Sequence, residues 1–210
     1  MNNIVKSVMN AKDSAIWDIS GLLGLNLNRD KIKSILKGNT LETNMDEVLY
    51  CVGMKKAWGY MLNNLEEDSP LEYRFIQDLD NYIHPLYKRG FPKSMFDCSG
   101  DLSKVYDYIY KRIEELNDIE DPEERALKVF CFVLTNNILL EDSLQIAWLV
   151  ANKILIENNV GALLVLDGFM PAFAKKFNEK VSDYYFNGGD TSGIIKLLKS
   201  VISKNVIRFE

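Results

Sequence analysis

The chain has 210 residues, of which 47% are hydrophobic and 26% charged, values typical of a globular protein that can form one substantial core. We therefore expect a single domain over residues 1–210. The formal net charge of −5 argues against a nucleic-acid-binding protein, because affinity for phosphate backbones comes mostly from Lys and Arg.

Few residues are suited to metal binding or covalent catalysis. The cysteines Cys51, Cys98 and Cys131 lack metal-ligand spacing, so together with a single histidine, His84, they make a zinc site improbable. The first residues lack the apolar run of a secretion signal, and the run over residues 146–156 is too short to cross a bilayer. We expect a cytoplasmic protein whose cysteines are in the reduced thiol form and that has no membrane partner.

The chain is predicted to be mostly helical, because apolar residues recur at helical spacing and sustained alternation of apolar and polar residues is absent. Residues 43–46, Thr-Asn-Met-Asp, can form a capped helix start, and Asp121 followed by Pro122 is typical of another. We expect an all-α fold, with helices over residues 43–63, 71–82, 102–116, 121–135, 168–186 and 191–203.

A further helix that starts near residues 141–143 is predicted to be buried. From Leu144 to Ala151 it carries no formal charge, and a helix that is apolar on all sides lies in a core. Asn136 and Asn137 interrupt the preceding helix, which places a loop directly before the buried one.

Residues 84–100 are predicted to form a loop, with a short β-hairpin as an alternative. The segment contains Pro85, Gly90, Pro92 and Gly100, and loops of this length are often binding or lid elements. A protein partner could contact the chain here; an irregular connector without a binding role is the competing interpretation.

The order of these segments resembles the Fic/Doc family, whose active members transfer AMP or a related group from a nucleotide to a protein hydroxyl. The family signature is His-Pro-Phe-x-Asp/Glu-Gly-Asn-Gly-Arg-x-x-Arg, followed by an Asn on a central helix. Residues 137–148 correspond to it, and Asn152 follows four residues later. Residues 38–48, 121–127 and 159–166 resemble further parts in the same order. The resemblance implies a Fic-like helical bundle around a buried central helix.

Most of the residues that the resemblance would make catalytic are replaced. Asn137 stands at the position of the general base, and Gln145 and Trp148 stand at the positions of the two phosphate-binding arginines. Residues 142–144, Asp-Ser-Leu, replace the Gly-Asn-Gly that cradles phosphate. Lys37 stands at the position of an inhibitory Glu.

Glu141 is kept, and it matches the family's magnesium-binding acid. The resemblance thus leaves Asn137, Glu141, Ser143 and Gln145 as candidate nucleotide-binding residues, with Mg²⁺ at Glu141 and ATP as the candidate ligands. Structural roles compete with this interpretation and are favoured: acids complement the dipole of a helix start, and Ser143 can serve as an N-cap.

Loss of a general base lowers a rate by about 10²–10⁴-fold, and loss of a donor to developing charge by about 10²–10³-fold. We therefore expect a Fic-like protein that lacks AMP transfer and binds a nucleotide or a protein. The alternative is a diverged protein-modifying transferase with a non-standard magnesium site. His84-Pro85-Leu86 mimics the start of the signature, but Lys88 stands where an acid is required, so we interpret it as coincidence.

Overall fold

The computed structural model describes residues 12–25, 27–40, 43–66, 69–83, 102–136, 138, 143–165 and 169–203. These ranges contain nine helices and two short strands, which confirms the all-α fold. The elements are α1 (Lys12–Leu22), α2 (Arg29–Leu36), α3 (Met45–Asn63), α4 (Tyr73–Ile83), α5 (Leu102–Asn117), α6 (Pro122–Thr135), α7 (Ser143–Glu157), β1 (Ala162–Leu163), α8 (Met170–Phe186), α9 (Ser192–Lys199) and β2 (Ile202–Ser203).

Two helix starts have the caps that the sequence predicts. The Asp121 side chain accepts a hydrogen bond from the backbone N–H of Glu123 at 3.0 Å, at the start of α6. The Asn44 side chain accepts one from the backbone N–H of Asp46 at 3.0 Å, and the Glu47 carboxylate accepts the N–H of Asn44 at 3.3 Å. This reciprocal pair satisfies two backbone donors that α3 could not satisfy alone.

The described residues group into two compact units, and the division falls within α3. The first unit takes its residues from Met1–Lys55 and Gly161–Glu210. In it, α1 contacts α2 and α8, α8 contacts α9, and β1 pairs with β2 in antiparallel orientation. The expectation of a single domain over the whole chain stays a prediction.

A side-chain hydrogen bond and a close backbone approach at a glycine fix the segment around β1 in the first unit. The buried carboxylate of Asp18, on α1, accepts a hydrogen bond from the backbone N–H of Val165 at 3.0 Å. Before β1, Gly161 has a φ of 145°, and a Cβ there would lie 2.5 Å from the carbonyl oxygen of Ser203. Only glycine combines this φ with so close an approach to the opposite strand.

The second unit takes its residues from Lys56–Val160 and contains α4 to α7. α7 packs extensively against α6 and also contacts α4. Every residue of α7 except Leu144 is buried. The predicted buried helix is therefore confirmed, and it forms the centre of this unit.

The structure differs from the sequence-based expectations at several places. α1 and α2 were not among the predicted helices. The helix expected over residues 191–203 ends at Lys199, and residues 202–203, the last two of the expected range, form β2. A two-residue strand is too short to show an alternating pattern. The loop or hairpin expected over residues 84–100 lies outside the described residues, and none of the described helices is long and apolar enough to cross a membrane.

Candidate functional site

The sequence places the candidate site at the loop between α6 and α7. Asn137 and Glu141 lie outside the described residues. Ser143 and Gln145 lie in the first turn of α7, where they are 8% and 7% exposed. Ser143 is the first residue of α7, and residue 142 before it lies outside the described residues, so the predicted cap stays a prediction.

Further along α7, the positions assigned to phosphate binding and to the family's Asn are part of the core. Trp148 is fully buried, and its ring lies 6.1 Å from that of Phe130 in an edge-to-face arrangement. Asn152 is also fully buried, and its side-chain amide donates a hydrogen bond to the carbonyl oxygen of Trp148 at 3.0 Å. Both side chains therefore stabilise the packing of α7.

Two tyrosines contact the ends of the same loop. The hydroxyl of Tyr108, on α5, donates to the side-chain oxygen of Asn136 at 3.2 Å, directly after α6. The hydroxyl of Tyr73, on α4, lies 3.5 Å from the carbonyl oxygen of Ile138, at the long limit for a hydrogen bond. Burial raises the pKa of Tyr73, so this hydroxyl keeps its proton and acts as a donor. The sequence did not identify these contacts.

A buried charged network lies at the end of α7. The ammonium group of Lys153 is 2.5 Å from the carboxylate of Glu157 and 2.8 Å from the hydroxyl of Ser69. The side chains of Lys153 and Glu157 are only 5% and 1% exposed. The ring of Phe75 lies 5.5 Å from the ammonium group.

The pKa of Glu157 is raised by burial, and this is opposed by its contacts. The hydrogen bond and charge of Lys153 lower the pKa, as do the charge of Arg125 and a backbone hydrogen bond from Glu66. The second carboxylate oxygen of Glu157 has no hydrogen-bond partner among the described residues. The contact with Lys153 is thus the largest of the interactions that oppose the effect of burial on this pKa.

Ser69, Lys153 and Glu157 have the composition of a nucleophile, a base and an acid, but their geometry does not support that chemistry. A general base accepts the hydrogen bond of the hydroxyl that it deprotonates. Lys153 is instead the donor in its hydrogen bond with the Ser69 hydroxyl. The network instead fixes the segment after α3 to α7.

α7 itself offers no unpaired cation for a nucleotide triphosphate. Lys153 is the one cation of α7, all of which the structure describes, and it is buried and paired. Within the described ranges, no three His, Cys, Asp or Glu side chains come close enough together to hold a metal ion. A magnesium site at Glu141 stays a prediction.

No model of a known protein family matches the chain, and no curated protein shows a significant match to its sequence. The resemblance to the Fic/Doc family therefore depends on the residues of this chain alone.

Proposed function

We propose that this chain is a cytoplasmic Fic-like domain that lacks AMP transfer and acts as a binding module, for a protein rather than for a nucleotide. The burial of position 148 carries the proposal. In a Fic-like interpretation this position and position 145 would hold phosphate groups. Trp148 is fully buried and Gln145 is 7% exposed, so these side chains serve the core.

The charges of α7 support the same conclusion. Each hydrogen bond to a charged group contributes about 1.5–3 kcal/mol, so two missing arginine contacts remove about 3–6 kcal/mol of binding free energy. That loss corresponds to roughly 10²–10⁴-fold in affinity for a nucleotide. Lys153 cannot compensate, because it is 5% exposed and already paired with Glu157.

The loss of AMP transfer follows from the chemistry of position 137. An amide such as Asn137 does not take up a proton at neutral pH, so it cannot activate a target hydroxyl. A positioned general base contributes about 10²–10⁴-fold to a rate. With the phosphate contacts also missing, transfer by the family's usual route is not expected.

The nucleotide part of the proposal is tested by calorimetric titration of ATP, with and without Mg²⁺. Wild type, Glu141→Ala and Glu120→Ala are compared; Glu120 is an exposed acid before α6 and serves as the matched control. We expect no saturable heat from any of the three. Magnesium-dependent binding that Glu141→Ala removes and Glu120→Ala keeps would contradict the proposal and favour the diverged transferase.

Catalysis and partner binding need separate experiments. Incubation with labelled ATP and cell protein should give no label transfer, and a transfer that depends on Glu141 would overturn the proposal. For partner binding, a photo-crosslinking residue replaces Phe91, in the 84–100 segment, or the exposed Tyr185 as a control. A partner crosslinked from position 91 and not from position 185 would support the protein-binding role. Equal yields from both would count against this segment as the contact surface.

A further inference from the structure

A groove with a volume of about 270 Å³ lies in the first unit, between α8 and α9. Phe169, Ala172, Phe173 and Lys176 line one side at helical spacing, so they form one stripe along the start of α8. Leu197 and Val201, at the end of α9 and after it, line the other side.

The walls of the groove are held by packing and backbone hydrogen bonds. Phe173 is 6% exposed, and its ring stacks on that of Phe177 with the centroids 6.2 Å apart. The backbone N–H of Leu164 donates to the carbonyl oxygen of Val201 at 3.1 Å, which fixes the base of the groove. Phe169 is 64% exposed and stands at the open side. The groove thus combines packed apolar walls with an exposed aromatic edge.

Lys176 is the one charged residue among those that line the groove in the described part of the chain. No described residue forms an ion pair with it, whereas Lys180, one turn later, pairs with Asp183 at 2.9 Å. The hydroxyl of Ser200 donates to the carbonyl oxygen of Leu197 at 2.6 Å, so its proton is already used. An anionic group in the groove would therefore be held by Lys176.

We propose that this groove binds a small amphiphile with a carboxylate head, of the medium-chain fatty acid class. Its apolar chain lies along Phe169 and Phe173, and its carboxylate pairs with Lys176. Pockets for drug-sized ligands enclose about 300–1,000 Å³, so a cavity of about 270 Å³ suits a smaller ligand. One cation matches one carboxylate and would not balance a nucleotide triphosphate. This proposal does not depend on the Fic-like function.

The test is calorimetric titration of the full chain with octanoate, octanol and octylamine, which share a chain length and differ in the head group. We expect saturable binding of octanoate, weaker binding of octanol and none of octylamine. Lys176→Gln should weaken octanoate binding by about tenfold, because it removes one charge-assisted contact at a partly exposed site. Lys175→Gln, the same change at an exposed neighbour that does not line the groove, should leave it unchanged.

A second variant tests the groove itself. Ala172 is exposed, so Ala172→Trp should fill the groove without disturbing the core and should abolish octanoate binding. Circular dichroism verifies that Ala172→Trp is folded. A further variant, Lys176→Glu, should also lose octanoate binding, because its carboxylate repels that of the ligand. The proposal is overturned if octanoate gives no saturable heat, if octylamine binds as tightly as octanoate, or if folded Ala172→Trp binds as the wild type does.

Discussion

The buried ion pair of α7 leads to a quantitative prediction: Lys153→Met should strongly destabilise the protein. Methionine retains most of the apolar stem of lysine, so the change removes charge more than packing. It leaves Glu157, with a side chain only 1% exposed, without its ammonium partner. Removing one member of a buried ion pair costs about 3–5 kcal/mol, because the remaining charge is uncompensated.

Proton uptake by Glu157 limits this cost. The ordinary pKa of a glutamate is 4.5, and each pH unit above it adds about 1.4 kcal/mol to the free energy of protonating the carboxylate. This free energy is about 3.4 kcal/mol at pH 7 and about 0.7 kcal/mol at pH 5. Burial raises the pKa of Glu157 and Lys153 lowers it, so the pKa of the folded variant lies above that of the wild type. A raised pKa favours the folded state as the pH falls. The loss of about 3 kcal/mol at pH 7 should therefore shrink, by at most about 2.7 kcal/mol, at pH 5.

Urea unfolding followed by circular dichroism, at pH 7 and pH 5, measures both effects. The matched control is Lys128→Met, which breaks an ion pair with Glu124 that also spans four residues but is 45% and 48% exposed. Exposed helix pairs contribute about 0.3–0.5 kcal/mol, so this control should lose little stability at either pH. Equal losses in the two variants, or a loss for Lys153→Met that does not change with pH, would refute the reasoning.

Three further predictions concern the two units separately. Gly161→Ala should destabilise the protein by about 1–3 kcal/mol in urea unfolding, because it combines a φ of 145° with a Cβ 2.5 Å from the carbonyl oxygen of Ser203. Gly188→Ala, at a φ of 107° with open space around it, should cost less, and an equal cost would show that the contact is unimportant. Trp148→Arg should lose about 3–5 kcal/mol or fail to fold, because it removes a fully buried aromatic ring and introduces a charge; a stable variant that binds ATP would contradict the assignment of this position to the core. Burial raises the pKa of Cys51 to about 11, so roughly one thiol in a thousand is ionised at pH 8. Mass spectrometry should find Cys51 alkylated by iodoacetamide in urea and protected in the native protein, and equal labelling in both states would disprove its burial.

The candidate site was only partly predictable from the sequence. The charge-free run from Leu144 to Ala151 predicted the burial of α7, and the structure confirms it. The resemblance assigned Gln145 a role in nucleotide binding; its side chain is 7% exposed, and that role stays a prediction. The roles of Asn137 and Glu141 stay predictions, because both residues lie outside the described ranges.

Local features were determined by the sequence itself. The caps of α3 and α6 involve residues two or three positions apart, so the short sequences at residues 43–46 and 121–122 were enough to indicate them. The uncharged stretch of α7 fixes its burial, because no polar face remains to meet water. Only the tertiary structure decided how Lys153 is accommodated in that core. Its partner Ser69 lies 84 residues earlier in the chain, and no local pattern connects them. The groove beside Lys176 depends in the same way on distant segments, because the residues after β1, α8 and the end of α9 supply its walls only once the chain has folded.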